Sequence, residues 1–298
     1  MSKQDLFFMT TTFDIPSDPS AACDFYDAHG FFPEAGETES AFLARAAAEF
    51  AAQPDLKDCP EMTDAVPIPP AVLQEGAERT ERLYGFSVVR TVSGYFLNHG
   101  FGFLWGGCTA QDDQDLPFFL LRGEFADRKR WFIYDRSEIL SHEQCHAART
   151  PLNDMEQEEF FAYQTSASPL RRYVGNCFRT RLDSFLFLGG LLPLFAVEAA
   201  VICGFVPLDF PLYPFLLFAL VYPVFALIRN QLARNRFFRA RRYLAALSIS
   251  RPDAVLFRAV SSEIRDLSRC RSVKEAATFV EDLASRELRW KIALRRFK

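Results

Sequence analysis

The amino-acid sequence predicts an α+β protein with a small antiparallel sheet, a two-helix membrane hairpin and a helical C-terminal region. Strand-forming residues concentrate between residues 84 and 134, and two long apolar runs lie between residues 184 and 228. The flanking segments have helical composition. We therefore divide the chain into a domain over residues 1–180, a hairpin over residues 184–228 and a basic helical region over residues 229–298.

The first part of the chain alternates between irregular and helical segments. Residues 1–35 are rich in Asp, Phe and Pro, so we predict irregular structure there. Thr38–Gln53 and Ala71–Leu83 consist mostly of good helix formers and predict helices. The Pro-rich residues 54–70 between them indicate a connection, and the N-terminus lacks the apolar run of a signal peptide.

Five segments in the middle of the chain favour strands because they are rich in Val, Phe, Leu, Trp and Tyr. They begin at Gly85, Tyr95, Phe101, Pro117 and Arg130. We expect them to form a small antiparallel sheet. The strand that begins at Arg130 runs into Asp135, and we expect Asp135 or Ser137 to cap the next helix. Pro151 disfavours helical geometry at Thr150, so we expect this helix to end there.

The two apolar runs, Ser184–Leu208 and Phe210–Ile228, are each long enough to cross a hydrocarbon core of about 30 Å as a helix. The turn between them is too short for a domain, so both outer ends lie on one side of the membrane. Arginines flank the pair on both outer sides, which predicts a cytoplasmic location for the soluble parts. Glu198 is the one charged residue inside the runs, and its role is open.

The charge distribution indicates which kind of partner the protein binds, and the cysteine content indicates the redox state of its compartment. Residues 1–80 carry 15 acidic and 4 basic side chains, whereas residues 169–298 carry 10 acidic and 22 basic ones. The basic residues gather at the membrane ends, which favours a lipid bilayer as partner and argues against nucleic acid. The 7 cysteines are widely spaced without a CxxC pair, so we expect a reducing compartment.

The segment His142-Glu143-Gln144-Cys145-His146 forms the pattern HExxH. Positions i and i+4 share one face of a helix, so both imidazoles can bind one metal ion and the Glu can reach a bound water. A catalytic zinc site takes three protein ligands and keeps one position open. The pattern supplies two of these ligands.

The third ligand is expected from a second helix that begins near Asn153 or Asp154. Its candidates are Glu156, Glu158 and Glu159, and Glu159 fits best because Ala162 and Tyr163 then share its face.

With Glu159-x-x-Ala162 after the HExxH pattern, residues 135–165 resemble the membrane-bound gluzincin metallopeptidases, such as the CAAX prenyl protease and heat-shock membrane protease group. The resemblance implies a zincin-like domain in which His142, His146 and Glu159 bind Zn²⁺ and Glu143 is the general base. Tyr163 stands where members of that group usually carry Asp, and the gap from His146 to Glu159 is shorter than theirs.

The predicted function is a membrane-anchored zinc endopeptidase that acts on peptides or membrane proteins. Arg149 and Tyr163 are the candidates for stabilising the oxyanion, although Arg149 can also pair with an acid of the second helix. The alternative function is a non-catalytic membrane adaptor that holds no metal. A cysteine hydrolase using Cys145 and His142 is the weaker enzyme hypothesis, since no third group orients the pair. His29 and His99 are isolated, and we expect structural roles for them.

Overall fold

The computed structural model describes residues 14–52, 62, 64–100, 102 and 105–298. The described helices are α1 (Pro19–Ala28), α2 (Glu39–Ala51), α3 (Pro70–Tyr84), α4 (Arg136–Arg149), α5 (Glu158–Gln164), α6 (Pro169–Val174), α7 (Arg181–Ile202), α8 (Tyr213–Ala246), α9 (Pro252–Phe257), α10 (Ser261–Arg269), α11 (Val273–Arg286) and α12 (Leu288–Phe297). The described strands are β1 (Val66–Pro67), β2 (Ser93–Leu97), β3 (Gly107–Gln111), β4 (Pro117–Arg122), β5 (Arg130–Trp131) and β6 (Tyr134–Asp135). The α+β class is confirmed.

The N-terminal part is more helical than its composition predicts. The two predicted helices are present as α2, capped by Thr38, and α3, which ends at the left-handed residue Gly85. The prediction of irregular structure is wrong for Pro19–Ala28, which forms α1. Asp18 caps this helix, and Pro19 fits its first turn because a proline there lacks only an N–H that has no helical partner.

The main sheet is mixed, so the prediction of an antiparallel sheet is wrong. Its strand order is β1-β2-β4-β3, with β2 parallel to β4 and the other neighbours antiparallel. The connection after β2 carries the chain past the place of β4 to the far edge. β3 then forms a hairpin with β4, and this return brings β4 parallel to β2.

Two predicted strands take other forms. The segment from Gly85 to Val92 is not a strand; its turns bury the side chains of Phe86, Val88 and Val89 in the core. The segment from Arg130 is split into the short hairpin β5–β6. The predicted strand that begins at Phe101 lies largely outside the described residues.

Helix α4 is held between α3 and the sheet by two glycines that allow close approach. A Cβ atom at Gly76 of α3 would lie 2.7 Å from Leu140 Cβ, and one at Gly107 of β3 would lie 2.8 Å from Ile139 Cγ2. Both separations are too short for real carbon atoms, so neither site accepts a side chain. On the α3 side, Gln144 Nε2 also donates to the Leu73 carbonyl oxygen at 2.9 Å.

One hydrophobic core joins the predicted N-terminal domain to the C-terminal helices. The Phe257 ring of α9 stacks on Tyr84 with ring centroids 4.1 Å apart, and it also meets Phe32, Phe86 and Phe161. All five rings are almost completely buried. Residues 229–298 therefore do not pack as a unit separate from residues 14–180, because their apolar faces complete the same core.

A buried ion pair fixes α1 to the C-terminal helices. Both Asp27 oxygens accept from Arg258 at 2.7 Å, and the carboxylate also accepts from Arg296 of α12. Asp27 and Arg258 are almost fully buried, and Asp27 is the acid that neutralises Arg258.

Helices α7 and α8 are long and apolar enough to cross a membrane. In their most apolar windows only 6% of the α7 residues and 22% of the α8 residues are buried, unlike the helices of a soluble core. The two helices approach closely where Gly190 faces Ala219, and Asp183 pairs with Arg229 at their outer ends. Beyond Arg229, α8 continues without a break as the predicted basic helix and enters the core.

We expect Asp27→Ala to lower the free energy of unfolding by about 3–5 kcal/mol, because it leaves buried Arg258 without a counter-charge. Asp24→Ala on the same helix is the control. It removes only a partly exposed pair with Arg295 and should cost about 0–1 kcal/mol. Chemical denaturation of the detergent-solubilised protein measures both losses, and equal losses would contradict a special role for the buried pair.

Candidate metal centre

Helix α4 carries the two histidines of the HExxH pattern on one face, where their side chains converge. Asp135 caps the helix by accepting from the Ser137 N–H at 3.0 Å, and a short 3₁₀ turn that contains Pro151 follows its end. His142 and His146 lie one turn apart on one face, and their Nε2 atoms are 3.2 Å from each other. Of the two predicted caps, Asp135 is the one observed, and the predicted end at Thr150 is confirmed.

Helix α5 brings the third group. It begins at Glu158, later than the expected start at Asn153 or Asp154, because Asn153 adopts a left-handed backbone conformation and turns the chain. Glu159 then faces both histidines: its Oε2 lies 3.7 Å from His142 Nε2, and its Oε1 lies 3.5 Å from His146 Nε2. His142, His146 and Glu159 thus form a group that can hold a metal ion.

The histidine spacing and the chemistry of the donor set fit a zinc ion. Zinc–ligand bonds of about 2.0–2.2 Å in tetrahedral geometry place neighbouring ligand atoms about 3.3–3.6 Å apart. The two histidine Nε2 atoms are 3.2 Å apart, close to this spacing. With one ligand atom taken from each residue, all three ligand atoms lie within 4.8 Å of one another. Two imidazoles and a carboxylate are also a donor set typical of catalytic zinc, so the residues present fit the ion.

The other two candidate ligands have different partners. Glu158 Oε2 lies 3.6 Å from Nδ1 of His146, the ring nitrogen that faces away from the other ligands. A carboxylate at that position fixes the ring orientation of a metal-bound histidine. Glu156 forms ion pairs with Arg179, Arg236 and Arg265. Among the three acids, the geometry therefore favours Glu159 as ligand and gives Glu158 a supporting position.

Glu143 is oriented by a residue that the sequence did not indicate. The Thr109 hydroxyl on β3 donates to Glu143 Oε2 at 2.8 Å and lies 3.1 Å from the backbone carbonyl oxygen of the same residue. Burial raises the pKa of Glu143, while the nearby His146 and the bonds from Thr109 counteract part of this rise. The two residues are 34 positions apart in sequence, so no local pattern could have connected them.

The charges of the cluster are strongly coupled. Burial lowers the pKa of His142 well below its usual value, and the neighbouring His146 lowers it further. Burial also opposes protonation of His146, but its bond to Glu158 and the charge of Glu159 raise its pKa to about 9. Burial raises the pKa of Glu159 to about 7. A divalent cation would relieve the repulsion between these acidic groups, because it carries two positive charges where a bound proton carries one.

Tyr163, a predicted oxyanion-stabilising residue, lies at the site. Its ring meets the His142 ring edge to face, with centroids 4.7 Å apart. Burial raises the pKa of its hydroxyl, which therefore stays protonated at neutral pH and can donate a hydrogen bond. A Cβ atom at Gly175 would overlap this ring, so the absence of a side chain there makes room for Tyr163.

Arg149, the other predicted oxyanion-stabilising residue, lies in the core instead. Its side chain is fully buried and donates to Asp154 at 3.0 Å and to the Phe257 carbonyl oxygen. The guanidinium also packs over the Phe161 ring. The sequence left open whether Arg149 pairs with an acid of the second helix, and its observed partner is Asp154, just before α5.

The remaining candidates lie away from solvent or away from the cluster. Cys145 is completely buried, and burial raises the pKa of its thiol well above the usual value, which argues against a nucleophile. His29 donates from Nδ1 to the Phe25 carbonyl oxygen at 2.8 Å and packs on that ring. His99 lies in the connection between β2 and β3.

The cluster opens into a cavity of about 1220 Å³. One wall is the edge strand β3, and another consists of His142, Glu143, His146 and Glu159. The cavity continues to the bases of α7 and α8, where Phe187, Pro223 and Leu227 line it. A single space therefore connects the candidate metal centre with the two apolar helices.

Comparisons with known proteins do not assign a family. No family model, no curated protein and no solved structure matches this chain.

We expect His142→Ala and Glu159→Ala to abolish zinc binding, because each removes one of three converging ligands. Glu158→Gln should weaken zinc affinity by about 10–100-fold through loss of the support to His146. Glu156→Gln is the matched control and should bind zinc like the wild type. Elemental analysis and chelator competition measure these effects, and full binding by Glu159→Ala would exclude Glu159 as a ligand.

Arg149→Met should destabilise the fold by about 3–5 kcal/mol, since Asp154 would lose its buried partner. The zinc content of the folded protein should stay at the wild-type level. Thermal unfolding and elemental analysis test this pair of expectations. Normal stability together with lost peptidase activity would return Arg149 to a catalytic role.

Proposed function

We propose that this protein is a membrane-anchored, zinc-dependent endopeptidase. The observation that carries the proposal is the convergence of His142, His146 and Glu159 beside Glu143, a carboxylate that is buried, oriented and not one of the three ligands. A structural metal site uses four protein ligands, whereas three ligands with a neighbouring base are typical of hydrolytic sites. The position of the cluster in a large cavity favours a substrate of peptide size.

His142, His146 and Glu159 would hold the zinc ion, which supplies a Lewis acid and lowers the pKa of a coordinated water. Glu143 then accepts the proton of the attacking water and delivers it to the leaving amine. Thr109 keeps one Glu143 oxygen in place, so the other oxygen is available for this transfer. The raised pKa of Glu143 brings its proton affinity closer to neutrality, as this dual role requires.

Tyr163 is the candidate for stabilising the oxyanion that forms from the scissile carbonyl. Its ring is fixed against His142, and its hydroxyl remains a proton donor at neutral pH. A donor placed beside the reacting carbonyl strengthens its hydrogen bond as negative charge develops there.

Strand β3 offers a binding edge for an extended peptide. In the described part of the chain β3 is paired with β4 alone, and all its residues, Gly107–Gln111, line the cavity. The free backbone groups of an edge strand can add a peptide as a further strand. Such a peptide would run past Thr109 and Glu143 towards the metal ligands.

The membrane anchor is the second part of the proposal. Helices α7 and α8 have the length and apolar surface of membrane spans, and arginines mark both outer ends. By the positive-inside rule, the domain that holds the metal centre lies in the cytoplasm, attached to the plasma membrane or an inner membrane.

We expect Glu143→Gln to retain zinc but to lower kcat by about 10²–10⁴-fold, because it removes the proton acceptor without removing a ligand. Cleavage of casein and of a quenched peptide library by the purified, zinc-loaded protein measures this effect. Glu156→Gln again serves as the control, with activity near the wild-type value. Zinc binding without cleavage of any substrate would contradict the peptidase, and absence of zinc would favour the membrane adaptor.

Tyr163→Phe should lower kcat by about 10²–10³-fold with little change in KM, since the hydroxyl acts on the developing oxyanion. The variant keeps the ring that packs on His142, so zinc content should not change. Steady-state kinetics with the best peptide substrate separates the two parameters. A rise in KM alone would assign Tyr163 to substrate binding.

A further inference from the structure

A second feature points to the membrane, independently of the metal centre. The segment Arg128-Lys129-Arg130-Trp131-Phe132-Ile133, here called the 128–133 turn, joins three exposed cations to an exposed apolar pair. The side chains of Phe132 and Ile133 are 62% and 54% exposed. Cations beside aromatic and aliphatic side chains are typical of surfaces that contact a membrane interface.

This turn places a bulky apolar residue where a two-residue hairpin connection favours a positive φ. Phe132 and Ile133 form the two-residue connection between the paired residues Trp131 and Tyr134. Phe132 has φ +50°, a left-handed conformation that Gly, Asn or Asp adopts at much lower cost. A bulky apolar residue held there against its preference suggests a function for the exposed ring.

The turn lies at the level where the apolar part of α8 ends. The Ile133 carbonyl oxygen accepts from Arg171 of α6. The same helix is bound to α8 just after Arg229, because Asn230 donates to the Tyr173 carbonyl oxygen and the Tyr173 hydroxyl donates to Gln231 at 3.0 Å. Contacts on α6 thus connect the 128–133 turn to the charged end of the hairpin.

Apolar side chains continue from the turn towards the hairpin. Phe178 packs on Phe187 of α7 with ring centroids 5.5 Å apart. Six exposed apolar residues of the turn, of α6, of the segment after it and of the start of α7 are here called the apolar rim: Phe132, Ile133, Leu170, Val174, Phe178 and Leu182. The contact between Phe178 and Phe187 therefore links the rim to the exposed apolar surface of the hairpin. Exposed apolar patches of this kind mark interaction surfaces.

We infer that the 128–133 turn and the apolar rim form an interfacial membrane-contact surface for anionic lipids. Phe132 and Ile133 enter the headgroup region, and Arg128, Lys129 and Arg130 bind the negatively charged headgroups. This contact holds the domain against the bilayer in addition to the hairpin. Since Ile133, Val174 and Phe178 also line the cavity, its opening lies at the membrane surface.

Tryptophan quenching in nanodiscs tests the contact in the full-length chain. Phe132→Trp is compared with Val273→Trp, which replaces another exposed apolar residue, near Cys270. Cys270 contacts Tyr243, which lies 14 residues beyond Arg229 on α8, about 21 Å along the helix. With brominated phosphatidylcholine in the discs, the emission added by Phe132→Trp should be quenched severalfold more than that added by Val273→Trp.

The charged half of the surface is tested by lipid composition. Adding phosphatidylglycerol should increase the quenching of Phe132→Trp, and replacing Arg128, Lys129 and Arg130 by Ser in that variant should remove the increase. Resistance to alkaline extraction shows that the hairpin remains inserted in every variant. Equal quenching of Phe132→Trp and Val273→Trp in correctly inserted protein would overturn the inference, as would quenching that does not respond to phosphatidylglycerol or to the Ser replacements.

Discussion

The candidate metal centre depends on the packing of Phe161 in the hydrophobic core. Its ring packs against Phe237 and Phe257, and the Tyr84 hydroxyl donates to its backbone carbonyl oxygen at 2.8 Å. Helix α5 has only seven residues and would not be stable alone, so these contacts hold it in place. Glu159 stands two positions earlier on the same helix. Its position opposite His142 and His146 therefore follows from packing in the core and not from helix propensity.

The C-terminal helices also hold the candidate metal centre in place, because they contribute side chains to the same core. Phe237 comes from α8 and Phe257 from α9, so the chain must pass through the hairpin before it can complete the core under α5. Arg149 adds a polar connection, since it joins the end of α4 to the Phe257 carbonyl oxygen and to Asp154. The metal ligands, the hairpin and the C-terminal region are thus mechanically coupled through one set of buried side chains.

The cavity connects the candidate metal centre with the two apolar helices. The cavity is bounded by the ligands at one end and by residues of α7 and α8 at the other. Edge strand β3, the Thr109–Glu143 bond and the Tyr163 ring define the chemical end, whereas apolar side chains define the end near the hairpin. The cavity thus has a polar end at the candidate metal centre and an apolar end at α7 and α8.

The sequence by itself determined the features that arise between close neighbours along the chain. Helices α2 and α3, the two apolar helices and the pairing of His142 with His146 follow from composition, length and helical spacing. Only the tertiary structure decided which glutamate faces the histidines, because Glu156, Glu158 and Glu159 differ by their packing and not by their chemistry. Thr109, the burial of Arg149 and the parallel pairing of β2 with β4 join distant segments, and no local pattern specifies such contacts.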